Sequence, residues 1–393
     1  MSVNQAISVS APGKVILFGE HSVVYGYPAI AASIDALTTL TFQPGVQGLE
    51  SVVALRVRFL NITDEPVYIT NCDIAYLDSV RTIPCSPNFK DLFISKSRLI
   101  LDKFDSSNHL VSSVAVFLLA LYLVRSQYSS SCTLDLPIDV SVNSTLPIGA
   151  GLGSSAAYCS VVATFCFYLY GCIADLELTE ELLFLIQSVA HEAEKIMHSS
   201  PSGVDTTISA RGGLITFRRD LIASRVITQS LSLPFSCGEY PKLLIIDTNV
   251  PRSAGDAVNS VRHLRENQPV LCNQVFEDIN LICGNAERVL SKPLTRESLV
   301  ALNNLFVQNH EALCRLGVSN EKLDEVVRRL ESIGLGAKLT GAGKGGCAIA
   351  LLCSSMDPVG VAQDVRNLLH DLNVTVLAVD FCVPGLKIQI EKI

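Results

Sequence analysis

The chain has 393 residues, of which 49% are hydrophobic and 17% charged, and its mean hydropathy is +0.38. A chain this apolar and this poor in charge folds around a core, which excludes intrinsic disorder. Its 38 acidic and 30 basic residues give a net charge of −8, which argues against nucleic-acid binding because that function needs a basic surface.

In the first half of the chain, apolar periodicity and turn residues predict both strands and helices. We predict strands over 7–10, 15–18, 134–142 and 213–217, and helices over about 107–125, 154–172 and 179–199. The uncharged run 110–124 is short for a membrane span of ~20 residues. The run 156–174 is long enough, but it contains three cysteines and follows a glycine-rich loop, so a buried helix is favoured and no membrane span is predicted.

A second region begins near Leu233 and Pro234. We predict strands over 242–247, 346–352 and 374–382, and helices over about 254–266, 271–290, 296–316 and 320–333. Because strands and helices interleave in both halves, the sequence predicts an α+β fold with two domains, 1–235 and 236–393.

Thirteen cysteines are scattered along the chain, and no pair has the C-x-x-C spacing of a zinc site. Scattered thiols in an apolar chain are typical of small core residues in a reducing compartment. The N-terminal segment lacks the basic and apolar regions of a secretory signal. We therefore expect a cytoplasmic protein.

The segment GAGLGSSAA, residues 149–157, lies between a predicted strand and a long apolar helix. Glycines let the backbone approach a ligand closely, and a helix N-terminus offers unpaired N–H groups and partial positive charge to an anion. The pattern favours phosphate binding, and the simpler alternative is a capped helix after a glycine turn. Ser154 and Ser155 could cap the helix or bind a metal.

The spacing of this loop excludes the common P-loop motif. Gly151, Gly153 and Ala156 do match the dinucleotide fingerprint G-x-G-x-x-A. That fingerprint needs an acidic residue at the end of the next parallel strand. Here a helix is predicted to about residue 172 and Asp175 follows it directly, which argues against an NAD-dependent oxidoreductase.

A second glycine-rich segment, KLTGAGKGGC, covers residues 338–347 and precedes a strand. A structural glycine turn is one interpretation. Two glycine loops in separate halves of the chain favour another, in which one anion lies in a cleft between the domains.

Three further segments carry charged residues that could do chemistry. Lys14 stands at the start of a predicted strand, with Glu20 and His21 at its end, although alone it would be read as an exposed lysine. Glu194 has no lysine or arginine three or four positions away, only Ala190, His191, Met197 and His198, so a bound cation is one partner and solvent is the alternative. Asp205 follows in PSGVD, where it could cap a helix or accept a hydroxyl proton in phosphoryl transfer.

Together these segments resemble the GHMP small-molecule kinases, and among them the members that phosphorylate mevalonate. The resemblance rests on PGKVILFGEHSVVYG, PIGAGLGSSAA, HSSPSGVD and KLTGAGKGGC, whose order and approximate spacing also match. It implies an N-terminal domain like the second domain of ribosomal protein S5 and a ferredoxin-like C-terminal domain, with ATP between them. It also implies transfer of the γ-phosphate of MgATP to the 5-hydroxyl of (R)-mevalonate in isoprenoid precursor synthesis.

The same resemblance implies roles for individual residues. Asp205 would accept or orient the hydroxyl proton beside Lys14, and Ser155 and Glu194 would hold Mg²⁺. The nucleotide would be bound by Gly149, Ala150, Gly151, Leu152, Gly153, Ser154 and Ser155, with Ser144 and Asn61 nearby. Mevalonate would be bound by Lys14, Glu20, His21, Asp205 and Thr248, and from the second domain by Thr340, Gly341, Ala342 and Gly343. A homodimer and inhibition by isoprenoid diphosphates are further family expectations.

The chain departs from the family pattern at two places. Ser199 and Ser200 replace a glycine and an asparagine, and Lys344 interrupts a glycine run. Lys344 either points to solvent or reaches an anionic group. A related kinase or decarboxylase with another small acceptor remains an alternative, as does a non-catalytic sensor, although such sensors tend to lose the catalytic groups that are present here.

Overall fold

The computed structural model describes residues 5–44, 50, 52–79, 89–102, 107–128, 137–147, 149–198, 201–222, 225–231, 241–251, 254–352 and 357–392. The strands are β1 (Gln5–Phe18), β2 (Ala29–Pro44), β3 (Val53–Phe59), β4 (Val67–Thr70), β5 (Ile138–Ser144), β6 (Leu214–Asp220), β7 (Arg225–Leu231), β8 (Lys242–Asp247), β9 (Ala337–Leu339), β10 (Cys347–Leu352), β11 (Thr375–Asp380) and β12 (Lys387–Lys392). The α-helices are α1 (Asn71–Ser79), α2 (Phe89–Ile100), α3 (Asn108–Gln127), α4 (Ser154–Leu169), α5 (Glu180–Glu194), α6 (Val204–Arg211), α7 (Ala254–Asn267), α8 (Pro269–Leu290), α9 (Arg296–Arg315), α10 (Glu321–Ser332) and α11 (Pro358–Leu368). Ser22–Tyr25 and His370–Leu372 form short 3-10 helices.

The first sheet has the strand order β12-β1-β2-β5-β3-β4, with β6 added to β2 and β7 to β6. Its pairings are antiparallel except for β3 with β5. Helix α4 packs on β1 and β2, and every residue from Ala156 to Leu169 is buried. A helix that is apolar on all sides needs cover on all sides, and α3, α5 and α6 provide it. The predicted buried helix is therefore confirmed.

The second sheet is antiparallel and has the order β11-β8-β10-β9. Counted along the chain, this is the order 4-1-3-2, with α7 to α10 between the first and second strands and α11 between the third and fourth. Such an arrangement is ferredoxin-like, and the expected α+β fold is confirmed.

The end of the chain returns to the first sheet, because β12 pairs with β1 from Gln5 to Ser10. The proposed domain boundary near Leu233 and Pro234 lies outside the described residues. The division into 1–235 and 236–393 thus stays a prediction, and the closing strand of the second part adds to the sheet of the first.

Several predicted bounds were wrong. The segments 7–10 and 15–18 belong to one strand, because a register shift at Pro12 and Gly13 lets β1 continue past the proline. Helix α4 ends at Leu169 and α5 at Glu194, earlier than predicted. Among the described residues one helix, α3, is long and apolar enough to cross a membrane, and 72% of its most apolar window is buried inside the protein.

Candidate active site

A cavity of about 880 Å³ lies between the first sheet, the N-terminal ends of α4 and α6, and the loop that follows β9. This volume is typical of small-molecule sites. Most of the residues predicted for the site line the cavity, namely Lys14, Glu20, His21, Asn61, Ser144, Gly149, Gly151, Gly153, Ser154, Ser155, Glu194, Asp205, Gly341 and Ala342. Motifs nearly 330 positions apart in the sequence therefore meet at one place.

Lys14 and Asp205 form an ion pair on the cavity wall. Lys14 Nζ lies 3.3 Å from Asp205 Oδ2, and the lysine side chain is 8% exposed while the carboxylate is 33% exposed. Lys14 belongs to β1, and Asp205 lies in the first turn of α6. The Ser209 hydroxyl donates to the carbonyl of Pro12 at 2.9 Å, which ties α6 to β1 and fixes the distance between the two charged groups.

The glycine-rich loop packs directly against Lys14. The Lys14 N–H donates to the carbonyl of Leu152 at 2.7 Å. Gly153 has φ +79°, and a Cβ at this position would lie only 2.9 Å from Lys14 Cγ. No side chain caps α4, so N–H groups of its first turn are available to an anion in the cavity.

Ser155 and Glu194 face each other across the start of α4 and the end of α5. The Ser155 hydroxyl donates to Glu194 Oε1 at 3.2 Å and also lies 3.0 Å from His198 Nε2. Glu194 is 2% exposed, and its Oε2 is buried without a hydrogen-bond partner. Burial, helped by the charge of Asp205, raises the pKa of Glu194 to about 7, while Ser155 and Lys14 act in the opposite direction.

This pair fits the predicted Mg²⁺ site. Mg²⁺ prefers oxygen donors and takes one or two from the protein alongside phosphate and water. Ser155 and Glu194 offer a hydroxyl and a carboxylate, and the unpartnered Oε2 is a buried acceptor that a cation would satisfy. His198 was not predicted, because its contact with Ser155 depends on how α5 ends against α4.

Two residues from the second half of the chain close one side of the cavity. Gly341 and Ala342 both line it, and the carbonyl of Ala342 lies 2.9 Å from His21 Nε2. His21 adopts a left-handed backbone conformation with φ 63°, and burial lowers the pKa of its imidazole. Glu20 is also buried, with its carboxylate held by Lys338 and Asn309.

Two predicted substrate-binding threonines have their hydroxyl groups engaged by the backbone. The Thr340 hydroxyl donates to the carbonyl of Ile16 at 2.8 Å and accepts from its N–H at 3.1 Å. The Thr248 hydroxyl donates to the carbonyl of Gly346 at 2.6 Å. Neither threonine lines the cavity, and the same is true of Ala150, Leu152 and Gly343.

Asn61 and Ser144 lie together on another side of the cavity. The Asn61 amide donates to the carbonyl of Ser144 at 3.0 Å and accepts from its N–H at 2.7 Å. Residues that no sequence motif indicated complete this side, and they are Phe59, Ile62, Asn108, His109, Ser112, Ser113 and Tyr158.

The structure describes one of the two departures from the family pattern. Ser199 and Ser200 lie outside the described residues. Lys344 has φ 56°, its N–H donates to the carbonyl of Val318 at 2.7 Å, and its charge contributes to the lowered pKa of His21. Its side chain is half-buried and does not line the cavity.

A separate group of possible metal ligands consists of His310, Cys314 and Asp324. His310 Nδ1 accepts the Leu339 N–H at 3.3 Å, which places the proton of the neutral ring on Nε2, 3.4 Å from Asp324 Oδ1. A protonated Nε2 has no lone pair for a metal, so this group is a hydrogen-bonded network.

Comparison with known proteins identifies two family segments. Residues 111–213 match the GHMP kinases N terminal domain, and residues 290–371 match the GHMP kinases C terminal domain. The chain is similar to the mevalonate kinase of Mus musculus, with 32% identity over 91% of this chain and 89% of the relative. It is similarly related to the mevalonate kinase of Pyrococcus horikoshii, with 33% identity over 92% of this chain and 93% of the relative.

Among solved structures, the fold is similar to that of L. major mevalonate kinase in complex with R-mevalonate. The TM-score is 0.67 at 24% identity, and the match covers 95% of each chain. At this identity the likeness establishes a shared fold, whereas the two full-length relatives establish common ancestry over nearly the whole sequence.

Proposed function

We infer that this chain, which belongs to the mevalonate kinase family of the GHMP kinases, is an ATP-dependent kinase that transfers the γ-phosphate of ATP to the 5-hydroxyl of (R)-mevalonate. The products are 5-phosphomevalonate and ADP. The observation that carries this proposal is the Lys14–Asp205 pair, 3.3 Å apart, on the wall of a cavity that also contains the glycine-rich loop and the start of α4.

In the proposed reaction, the acceptor hydroxyl lies between Lys14 and Asp205. Its oxygen attacks the γ-phosphorus, the bond to the ADP oxygen breaks, and Asp205 accepts the hydroxyl proton. The Lys14 ammonium favours the developing alkoxide, so Asp205 does not have to be a strong base. Phosphoryl transfer depends mainly on positioning and charge neutralisation, which two charged groups fixed on β1 and α6 can provide.

The phosphates of ATP would lie against Gly149–Ser155 and the N-terminus of α4, where free N–H groups and the helix dipole favour negative charge. Ser155 and Glu194 would hold Mg²⁺. The ion would neutralise phosphate charge, as divalent cations do in other kinases. Asn61 and Ser144 line the same cavity and would contact the nucleotide.

Mevalonate would bind near His21 and Glu20, with Gly341 and Ala342 approaching from the second half of the chain. The hydroxyls of Thr248 and Thr340 donate to backbone carbonyls. We therefore propose that these two threonines stabilise the loops that form this wall of the cavity. From the family resemblance we also propose a cytoplasmic location, a homodimer and inhibition by isoprenoid diphosphates. Light scattering tests the homodimer, and activity assays with added isoprenoid diphosphates test the inhibition.

A coupled ADP-release assay tests the proposed function. Purified protein with MgATP is given mevalonate, 5-phosphomevalonate or galactose, and a sample without acceptor measures background hydrolysis. We expect ADP release that depends on mevalonate, with one phosphorylated product. Release that is equal without acceptor, or faster with either of the other two, would reject mevalonate as the substrate.

A further inference from the structure

A buried ion pair connects the two halves of the chain beside the cavity. Lys338 on β9 contacts Glu20, which lies in the turn after β1, and the two side chains are 0% and 1% exposed. The ammonium of Lys338 also donates to the carbonyl of Leu339 at 2.6 Å. The other carboxylate oxygen of Glu20 accepts from the Asn309 amide at 3.0 Å. Charges this deeply buried require partners, because an isolated one is costly.

The pair is one of three links at this position. Thr340 is hydrogen-bonded in both directions to the backbone of Ile16, and His21 contacts the carbonyl of Ala342. These links run in parallel from β1 and its turn to β9 and its loop. Glu20 and the Ala342 carbonyl are therefore both held next to His21.

Among the described residues, Lys338 is the cation in direct contact with Glu20, while the charge of Lys344 acts on His21. His310 lies next to β9, but burial lowers the pKa of its imidazole to about 4, so it carries no charge at neutral pH. Phe306 and Cys283 cover other sides of the pair: the ring centroid of Phe306 is 5.9 Å from Lys338 Nζ, and Cys283 is buried. Lys338 thus provides the compensating charge for a carboxylate at the cavity wall.

We propose that Lys338 and Asn309 are positioning residues that neutralise Glu20 and hold it, and His21 next to it, at the acceptor end of the cavity. Neither residue lines the cavity. Both residues affect the binding of an acceptor that itself carries a negative charge, because a Glu20 carboxylate without a compensating charge would repel such an acceptor. This inference rests on the proposed function, since mevalonate is such a carboxylate.

Steady-state kinetics of Lys338→Met and of Glu20→Gln/Lys338→Met test the proposal. In Lys338→Met the buried Glu20 takes up a proton at neutral pH, because an unpaired buried carboxylate is costly, and it ionises only near about pH 8–9. We therefore expect the KM for mevalonate of this variant to rise about ten-fold between about pH 7 and pH 9.5 relative to wild type, the order expected for one charge several ångströms from an anion. The KM for ATP should change less than about three-fold. The double variant has no carboxylate to ionise at this position and should lack this pH-dependent rise.

Ser97→Ala is a matched control, because Ser97 is equally buried, donates to the carbonyl of Phe93 at 2.7 Å and lies on α2, which contributes no residue to the cavity lining. Thermal unfolding of every variant checks that it is folded. Three results would overturn the inference: a KM for mevalonate in Lys338→Met that follows wild type across this pH range, equal rises in both KM values, or the same pH-dependent rise in the double variant. Wild-type protein without mevalonate-dependent activity would instead reject the proposed function.

Discussion

The carboxyl of Glu194 gives a quantitative test of the metal site. Burial, with help from Asp205, raises its pKa from the ordinary value of 4.5 to about 7. The folded protein therefore binds this proton more tightly than the unfolded chain does. The resulting stability is complete below about pH 4.5 and is lost as the pH rises through 7, and the change in pKa corresponds to about 3 kcal/mol in total.

The substitution Glu194→Gln removes the ionisation and keeps the shape of the side chain. In urea unfolding with EDTA and without ATP, we expect the stability of the variant relative to wild type to increase by about 2 kcal/mol between about pH 5.5 and pH 8, the part of the linkage that falls in this range. Added Mg²⁺ should stabilise wild type at pH 8, and this gain should shrink as the pH falls below 7, because a proton then competes with the metal.

Glu192→Gln is the matched control for this experiment. Glu192 is on the same helix, its side chain is 40% exposed, and it pairs with Lys195. An exposed pair of this kind contributes less than about 1 kcal/mol, so the control should follow the wild-type pH curve. Parallel pH curves for wild type and Glu194→Gln would refute the buried ionisation, and equal Mg²⁺ stabilisation of both would refute the metal role.

Three further substitutions test other parts of the site. Asp205→Asn should lower kcat by at least about 100-fold with little change in unfolding temperature, since it removes the proton acceptor; near-normal kcat would end that assignment. Gly153→Ala should destabilise the protein by about 1–2 kcal/mol and lower kcat/KM, because its φ is +79° and its Cβ would press on Lys14 Cγ. Gly284→Ala is its control, since it lies in the middle of α8 with open space around it and should stabilise by about 0.5–1 kcal/mol in chemical denaturation. Lys344→Gly should be tolerated and stabilise by up to about 1 kcal/mol, because φ 56° suits glycine, whereas a ten-fold rise in either KM would assign Lys344 to an anionic group.

Much of the candidate site could be predicted because its charged residues lie in short segments with a local signature. Lys14, Ser155 and Asp205 each lie within two residues of a glycine, the last two at the start of a helix, and the structure brings all three to one cavity. Glu194 had a different signal, the lack of a lysine or arginine three or four positions away, and the structure places it with one carboxylate oxygen unpartnered.

The rest of the site had no local signature. Phe59, Asn108 and Tyr158 come from three elements that only the folded sheet and helices bring together. Thr340 shows the reverse case, because a polar residue in a promising motif has its hydroxyl engaged by the backbone of β1. Sequence patterns report which groups can do chemistry, while their orientation depends on pairings that are distant in the chain.

The continuity of β1 explains why the site is assembled on this strand. Residues of one strand alternate between its two faces, so Lys14 and Ile16 face the cavity while Val15 and Leu17 are buried in the core. The loop after β9 is fixed to the backbone of Ile16, two residues from Lys14.

The second sheet therefore cannot move away from β1 without breaking the links at Ile16, Glu20 and His21. Opening of the cavity has to involve other walls. Helix α7 is one of these, because it contributes Ala254, Gly255 and Val258 to the lining but buries only Ala257 and Val261 fully. The most firmly held part of the cavity is then the one that orients the acceptor and Lys14, as expected for a reaction that depends on positioning.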